Sequence, residues 1–377
     1  MRDIPEGGFR REGKDSASGL RGFSDRPSCS PRPVIRRGLT LRLLGKRGLT
    51  LEQKIAMFDL AMGDEVENRL EHKKVLVSGA SGMTGTALIP FLKARGRRVS
   101  VLTRDRARAG DGAVFWDPES GEIDKKNLEG FGAVVHLAGE NIASGRWTEA
   151  RKKRIRDSRV NGTRLLAEAI ASLDRKPSVL VSASAVGYYG NRNDDVLTEV
   201  EPPGKGFLAG VCREWEAATE PAEKGGVRVV RLRFGPVLSR AGGMLKKILP
   251  PFRAGVGGRI GPGRQYISWI AIDDVLGIID YCFTHEDLKG AVNAVAPNAV
   301  TNAEFTRGLG KVLSRPTIFP VPASGLRLLY GEMADEMLLA SVRAVPKRLE
   351  TAGYRFQLSE LEPALRHALD RSPERKG

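Results

Sequence analysis

The sequence predicts an α/β protein: a parallel, doubly wound sheet followed by a smaller C-terminal α+β lobe. Three observations carry this. From Lys73 onward, short apolar strand-like runs alternate with segments of helical period. A glycine-rich loop joins the first run to the first helical segment. After about residue 236 the alternation gives way to Gly/Pro-rich loops and helices. Of 377 residues, 41% are hydrophobic and 28% charged, which excludes collagen-like and wholly disordered chains.

The first fifty residues are rich in Arg, Gly, Ser and Pro and show no sustained apolar period, so they read as a disordered basic tail. Asp3, Glu6, Glu12, Asp15 and Asp25 count against an organelle transit peptide. With only Phe9 and Phe23 interleaved, no nucleic-acid partner is expected despite a net charge of +16. Leu51, Ile55, Phe58, Leu60 and Met62 lie near helical spacing, so a short helix is possible within residues 1–72. No run approaches the roughly 18 apolar residues a membrane span needs. The cytoplasm is the expected address, since the N-terminus does not read as a signal peptide. The three cysteines (Cys29, Cys212, Cys282) are far apart, and the four histidines form no ligand pair. No metal site is expected, and the compartment reads as reducing.

Residues 73–240 read as the nucleotide domain. Val75-Leu76-Val77 is a short buried strand, followed by a helix through Ala87, Leu88, Phe91 and Leu92 that Gly96 ends. Further strands are expected at 99–102, 133–137, 179–182 and 227–232, with helices at 148–172 and 208–220. Unbroken apolar strands are what a sheet covered on both faces requires. In residues 241–377, segments near 265–296 return to the core, and helices are expected at 301–313 and 322–343. Leu326, Leu329, Met333, Met337 and Leu338 would form a core face. Pro250-Pro251-Phe252 reads as a helix stop. Arg253, Arg259 and Arg264 among five glycines read either as a flexible basic stretch suited to an anionic substrate or as a solvated loop.

The loop Gly79-Ala80-Ser81-Gly82-Met83-Thr84-Gly85 has the spacing GxxGxxG between a strand and a helix. In a dinucleotide site the first glycine permits the turn, the second lets backbone approach the diphosphate, and the third packs helix on strand. The diphosphate then rests on helix amides, here those around Ser81, Met83 and Thr84. At the end of the second strand, Thr103 and Arg104 suit the 2′-phosphate of NADP(H), because a guanidinium grips a phosphate through two parallel hydrogen bonds. The other reading has Arg104, Arg106 and Arg108 solvated, with Asp105 on an unphosphorylated ribose.

Several segments beyond this loop carry a family resemblance. His136-Leu137-Ala138-Gly139-Glu140-Asn141-Ile142, Ser158-Arg159-Val160-Asn161-Gly162-Thr163 and Ser182-Ala183-Ser184-Ala185-Val186-Gly187-Tyr188-Tyr189-Gly190 resemble, in order, segments of the extended short-chain dehydrogenases/reductases. With Cys212-Arg213-Glu214-Trp215-Glu216 and Trp269-Ile270-Ala271-Ile272-Asp273-Asp274-Val275, they are similar to the epimerase family of atypical members, whose chains end in a short helical domain. The resemblance covers residues 73–370. It implies a Rossmann-type fold binding NADP(H) and a C-terminal substrate lobe. It places Leu137, Ala138 and Gly139 beside the cofactor, with Arg154 and Arg159 directed at cofactor or substrate.

The superfamily's chemistry uses a Tyr whose proton exchanges with substrate and a Lys four residues later that lowers its pKa. None of the six tyrosines here is followed by such a lysine. Phe207 or Leu208 stands in place of the Tyr, and Val211 or Cys212 in place of the Lys. The remaining candidates are Ser184 as the active-site hydroxyl and Tyr188 or Tyr189 as proton donor, with Arg192 as a nearby cation. Alternatively, the tyrosines only wall the pocket. Two functions stay open: an NADP(H)-dependent oxidoreductase or epimerase on a small polar, anionic molecule, and a catalytically silent NADP(H)-binding regulator or scaffold.

Overall fold

The computed structural model describes residues 74–110 and 112–370, so the readings of the first 72 residues lie outside it. In β1 (Lys74–Ser78) every residue after Lys74 is buried. A glycine turn leads into α1 (Met83–Ala94), and Gly96, with φ of 75°, turns the chain into β2 (Arg98–Thr103). β3 (Ala113–Asp117) and β4 (Glu122–Ile123) complete that edge. The chain crosses to β5 (Ala133–His136), runs along α2 (Glu149–Ala171) and enters β6 (Val179–Ala185). After β7 (Val196–Leu197) come α3 (Phe207–Ala217), α4 (Glu220–Lys224) and β8 (Arg228–Phe234). β9 (Val237–Leu238), α5 (Gly243–Arg253), β10 (Tyr266–Ile267) and β11 (Ile270–Ala271) precede α6 (Ile272–Thr284) and β12 (Gly290–Ala294). The chain continues through β13 (Val300–Thr301), α7 (Asn302–Leu313), α8 (Ala323–Tyr330), β14 (Arg343–Ala344), α9 (Lys347–Thr351) and α10 (Leu361–Ala368).

The main sheet has the order β12-β8-β6-β5-β1-β2-β3-β4. Every neighbouring pair is parallel except β3–β4. Successive side chains point to opposite faces. Val75, Val77, Val135 and Val181 therefore pack with Leu88 and Leu92 of α1 and Val275 and Ile279 of α6. Leu76, Val134 and Leu180 pack on the other face, with Leu166 and Ile170 of α2 and Ala222 of α4. This two-sided burial is why the strands read as unbroken apolar runs. Strand order reverses between β1 and β5, and in such sheets ligands bind in the crevice beyond the carboxyl ends at that point.

A separate apolar cluster joins α5, α7 and α10 through Leu245, Leu249, Phe252, Phe305, Leu309 and Leu365. α7 opens with a capping box: Glu304 N–H donates to Thr301 Oγ1 (3.2 Å), and Thr301 N–H to Glu304 Oε2 (2.7 Å). Three sequence expectations for this part need correction. α5 runs through Pro250 and Pro251 to Arg253, because buried Phe252 holds the last turn against the cluster even though each proline forfeits a helix hydrogen bond. The helix expected over 322–343 breaks at Gly331 (φ 60°) into a π-helical turn at Ala334–Leu338. Leu326 and Met333 are buried, but Leu329 is 64% exposed. Finally, the glycines among Arg253, Arg259 and Arg264 serve close packing rather than flexibility. A Cβ on Gly258 would lie 1.5 Å from Phe319 O, and Gly261 N–H donates to Val321 O at 2.9 Å. Among the described residues no helix is long and apolar enough to cross a membrane.

Candidate dinucleotide-binding site

The glycine turn is built for close backbone approach. Gly79 has φ of 68°, and a Cβ there would sit 2.7 Å from the Leu137 carbonyl carbon. Gly82 N–H closes the turn onto Gly79 O at 3.0 Å. A Cβ on Gly85 would lie 2.2 Å from Gly79 O, so only hydrogen fits between helix and loop. No side chain caps α1 and no acid lies in its first turn. Its leading amides have no acceptor within the helix and carry the positive end of the macrodipole. Ser81 and Gly82 are exposed, Met83 and Thr84 half-buried. Those residues form a cradle that a diphosphate fits and that any Cβ at Gly79 or Gly85 would fill.

The end of β5 is fixed from below by a buried relay. Ser78 Oγ accepts hydrogen bonds from Leu137 N–H (3.0 Å) and Ala138 N–H (3.2 Å), leaving its own hydrogen for His136 Nδ1 at 2.7 Å. The His136 proton is then on Nε2, which donates to Thr163 Oγ1 at 2.9 Å. Trp215 Nε1 donates to the same oxygen at 2.9 Å. Burial pushes the His136 pKa down to about 4, so the ring is neutral at physiological pH. Residues on β1, β5, α2 and α3 are thereby tied together beneath Leu137 and Ala138. Glu140 N–H donates to Ser158 Oγ at 3.1 Å, which fixes the start of the following loop. Sequence reasoning did not single out Ser78, His136, Ser158, Thr163 or Trp215 as positioning residues. The one local signal was a serine ending the strand before the glycine loop and a histidine directly before Leu-Ala-Gly.

At the end of β2, Asp105 is occupied locally. Ala107 N–H donates to its Oδ1 at 3.0 Å, and Arg108 pairs with it at 3.3 Å. Arg106 pairs with Glu122 and lies 4.0 Å over the Phe115 ring. Arg104 is exposed, and among the described residues no carboxylate forms an ion pair with it. Thr103 Oγ1 accepts from Asp105 N–H at 3.1 Å and keeps its hydrogen free to donate. On α2, Arg159 packs against Gly139, where a Cβ would lie 3.3 Å from the guanidinium carbon. Arg154, five residues earlier and about 140° round the helix, is exposed and does not share that face.

The β6 end differs from expectation. Ser184 Oγ donates to Glu216 Oε1 at 2.7 Å. Glu216 is gripped by both prongs of Arg233 (2.8 and 2.9 Å), and Arg233 Nη1 donates to the Tyr189 hydroxyl at 2.9 Å. That hydroxyl lies 2.7 Å from Asn293 Oδ1, to which it donates. Tyr189 is fully buried, and burial pushes its pKa up to about 12. Tyr188 has the Arg233 guanidinium 3.5 Å over its ring. It lines a surface cavity of about 530 Å³ with Arg213, Glu220, Glu223 and Arg231 that includes no residue of the crevice loops. Ser184 and Tyr189 are thus engaged in the Glu216–Arg233 network, while Tyr188 packs its ring on the same guanidinium. Strand register sets Ser184 opposite Arg233, and the short helical turn Val186–Tyr189 buries the second tyrosine. Arg192 is elsewhere too, its N–H donating to Ser341 O at 2.9 Å.

The residues that do face Gly187, at the mouth of β6, are Leu208 and Cys212. A Cβ on Gly187 would lie 3.5 Å from Leu208 Cβ and 3.9 Å from Cys212 Sγ. Burial pushes the Cys212 thiol up to about 12, so it is neither acid nor nucleophile at neutral pH. Phe207 packs edge-on against Trp147, ring centroids 5.1 Å apart.

A doubly wound sheet with a glycine cradle at its switch point defines a Rossmann-type dinucleotide-binding protein. Residues 75–295 match the NAD dependent epimerase/dehydratase family, and the chain belongs to it. Residues 321–368, from α8 to α10, match a domain of unknown function (DUF1731). An epimerase family protein of Mycobacterium bovis, Mb2239, is 45% identical over 79% of this chain and 98% of its own. The crystal structure of human epimerase family protein SDR39U1 with NADPH superposes with a TM-score of 0.72 at 36% identity, covering 79% of this chain and 99% of that one. A nucleoside-diphosphate sugar epimerase from Corynebacterium glutamicum gives 0.65 at 35% identity, covering 83% of this chain and 64% of that one.

Proposed function

We propose that this protein binds NADP(H) across the ends of β1, β2 and β5 and uses it as an oxidoreductase or epimerase on a small, polar, anionic molecule. The observation that carries the reading is Arg104, exposed, acting on Asp117 only electrostatically and, among the described residues, without a carboxylate ion pair, one strand from a glycine cradle that admits no side chain. The human relative's structure with NADPH supports the same cofactor. Gly79, Ser81, Gly82, Met83, Thr84 and Gly85 would hold the diphosphate, and Thr103 with Arg104 the 2′-phosphate. Leu137, Ala138 and Gly139 would form the floor, held flat by Ser78 and Ser158. Bound there, the nicotinamide supplies or accepts a hydride.

The chain's own share is binding, orientation and charge. Leu208 and Cys212 exclude water from the mouth of β6 but exchange no proton at neutral pH. The proton that accompanies hydride transfer then comes from water or from the substrate itself. Cys212 and Cys282 are free and buried, which suits the cytoplasm.

A second reading, a catalytically silent NADP(H)-binding regulator or scaffold, is favoured by the same withdrawal of Ser184 and Tyr189 into the Glu216–Arg233 network. Fluorescence titration with NADPH tests the shared part, and failure to bind would sink both readings. Stoichiometric NADPH mixed with a panel of small carbonyl-bearing anions separates them. Loss of nicotinamide absorbance favours the enzyme, and a flat trace across the panel favours the regulator.

A further inference from the structure

The place of the missing tyrosine is overlooked by a lysine from another helix. Phe207 opens α3, and Lys152, in the first turn of α2, holds its ammonium 5.4 Å from the centre of the Phe207 ring. The Lys152 side chain is only 19% exposed, and its nearer counter-ion comes from the far end of the chain. That counter-ion is Glu332, in the C-terminal segment that matches a domain of unknown function, with Oε2 2.6 Å from Nζ. Glu149, on the same helix as Lys152, is 3.4 Å away and almost wholly exposed. The segment that carries Glu332 is held at one end and exposed at the other. After it, Met333 and Ala334 are buried, and Glu336 accepts hydrogen bonds from the leading amides of α3, Phe207 N–H at 2.6 Å and Leu208 N–H at 2.7 Å. Before it, Gly331 turns with φ of 60°, and Leu328 and Leu329 of α8 are exposed. Glu332 lies between them with 41% of its side chain exposed, so its carboxylate can swing out without unpicking the anchor at Glu336. A partly exposed ion pair contributes little, and a second anion can therefore take its place.

We propose that Lys152 is the seat for a carboxylate group of the substrate, and that Glu332 occupies this seat in the free protein as a built-in competitor. This rests on the reading of an anionic substrate given above and deepens it, naming the anionic group and the cation that receives it. The group is a carboxylate because a carboxylate already sits there. The seat lies beside Phe207, next to Leu208 at the mouth of β6. The C-terminal segment thereby gains a role: it screens the crevice against anions too weak to displace its own side chain, while Glu336 keeps the segment in place during the exchange.

The test uses the full chain saturated with NADPH, so that the glycine cradle and Arg104 are filled, and malonate as the probe. Malonate is titrated by calorimetry into the native protein, Glu332→Gln, Lys152→Met and the double variant. The proposal expects Glu332→Gln to bind malonate about twofold to fivefold more tightly than the native chain, the worth of a partly exposed ion pair. Lys152→Met should weaken it by about tenfold or more, the worth of one charge-assisted hydrogen bond. The double variant should match Lys152→Met, since a competitor has no effect once its seat is gone. NADPH affinity should be the same in all four proteins, which also certifies that the variants are folded. Unchanged malonate affinity in either single variant, or no malonate binding by native protein and Glu332→Gln alike, would overturn the inference and leave the NADP(H) reading standing. Loss of NADPH together with malonate would make the mutated residue part of the fold and overturn it as well. A native protein that binds no NADPH would overturn both.

Discussion

The two sides of the crevice are built on opposite terms. On the β1/β2/β5 side, backbone is laid bare: Gly79 and Gly85 leave room for hydrogen alone, and Arg104 stands exposed without an ion pair among the described residues. On the β6/α3 side, two of the three candidate reacting hydroxyls are already spoken for. Ser184 is held by Glu216, and Tyr189 by Arg233 and Asn293. Here the glycine cradle is left open, whereas Ser184 and Tyr189 are tied into the Glu216–Arg233 network.

The contrast can be broken most sharply at Gly85. Gly85→Ala puts a methyl group 2.2 Å from Gly79 O, a backbone atom that cannot move without opening the turn. Nucleotide affinity should fall by more than about a hundredfold, or the melting temperature should drop by several degrees, since overpacking of this kind costs roughly 1–3 kcal/mol or more. Binding isotherms and thermal melts of this variant read out both effects. A variant that binds and melts like the native protein would refute the close approach.

On the other side, Arg233→Met leaves the largely buried Glu216 carboxylate without its cation, with only the Ser184 hydroxyl still donating to it. Removing one member of a buried pair costs about 3–5 kcal/mol, so urea unfolding should shift strongly. NADPH affinity of the folded protein should change by less than about threefold. Selective loss of NADPH binding at unchanged stability would show that the network belongs to the cofactor site after all.

The relay beneath the floor offers a smaller, pH-dependent effect. Burial lowers the His136 pKa from 6.5 to about 4 in the folded state. The unfolded chain therefore binds the proton first, and stability is lost as pH falls from about 6.5 towards 4. Fully developed, the loss is roughly 3 kcal/mol. Chemical denaturation across that window should show a shallower pH slope for His136→Gln than for the native chain. Parallel slopes would mean that the ring titrates normally.

What the sequence disclosed follows from how local each signal is. The strands were legible because two-sided burial forces unbroken apolar runs, and the cradle because only glycine tolerates φ of 68° at Gly79 with backbone pressed against it. The helix expected at 301–313 was legible because its capping box lies within four residues. The Ser78–His136–Thr163–Trp215 relay was not, since its links join residues 58, 27 and 52 positions apart. Ser184 and Tyr189 misled for a related reason. Their residue types suit catalysis, but which way they face depends on β6–β8 register and on Glu216 from a helix more than thirty residues on. Pro250 and Pro251 looked like a stop because the grip of Phe252 on a distant cluster has no local trace.

The account stands on a guanidinium beyond β2 choosing the phosphorylated nucleotide, and Arg104→Ala measures that choice. Paired titrations with NADPH and NADH should show NADPH affinity falling about tenfold to a hundredfold while NADH changes by less than about twofold, as expected when a charge-assisted contact of roughly 1.5–3 kcal/mol is lost from one ligand only. An equal change for both nucleotides, or none for either, would contradict it.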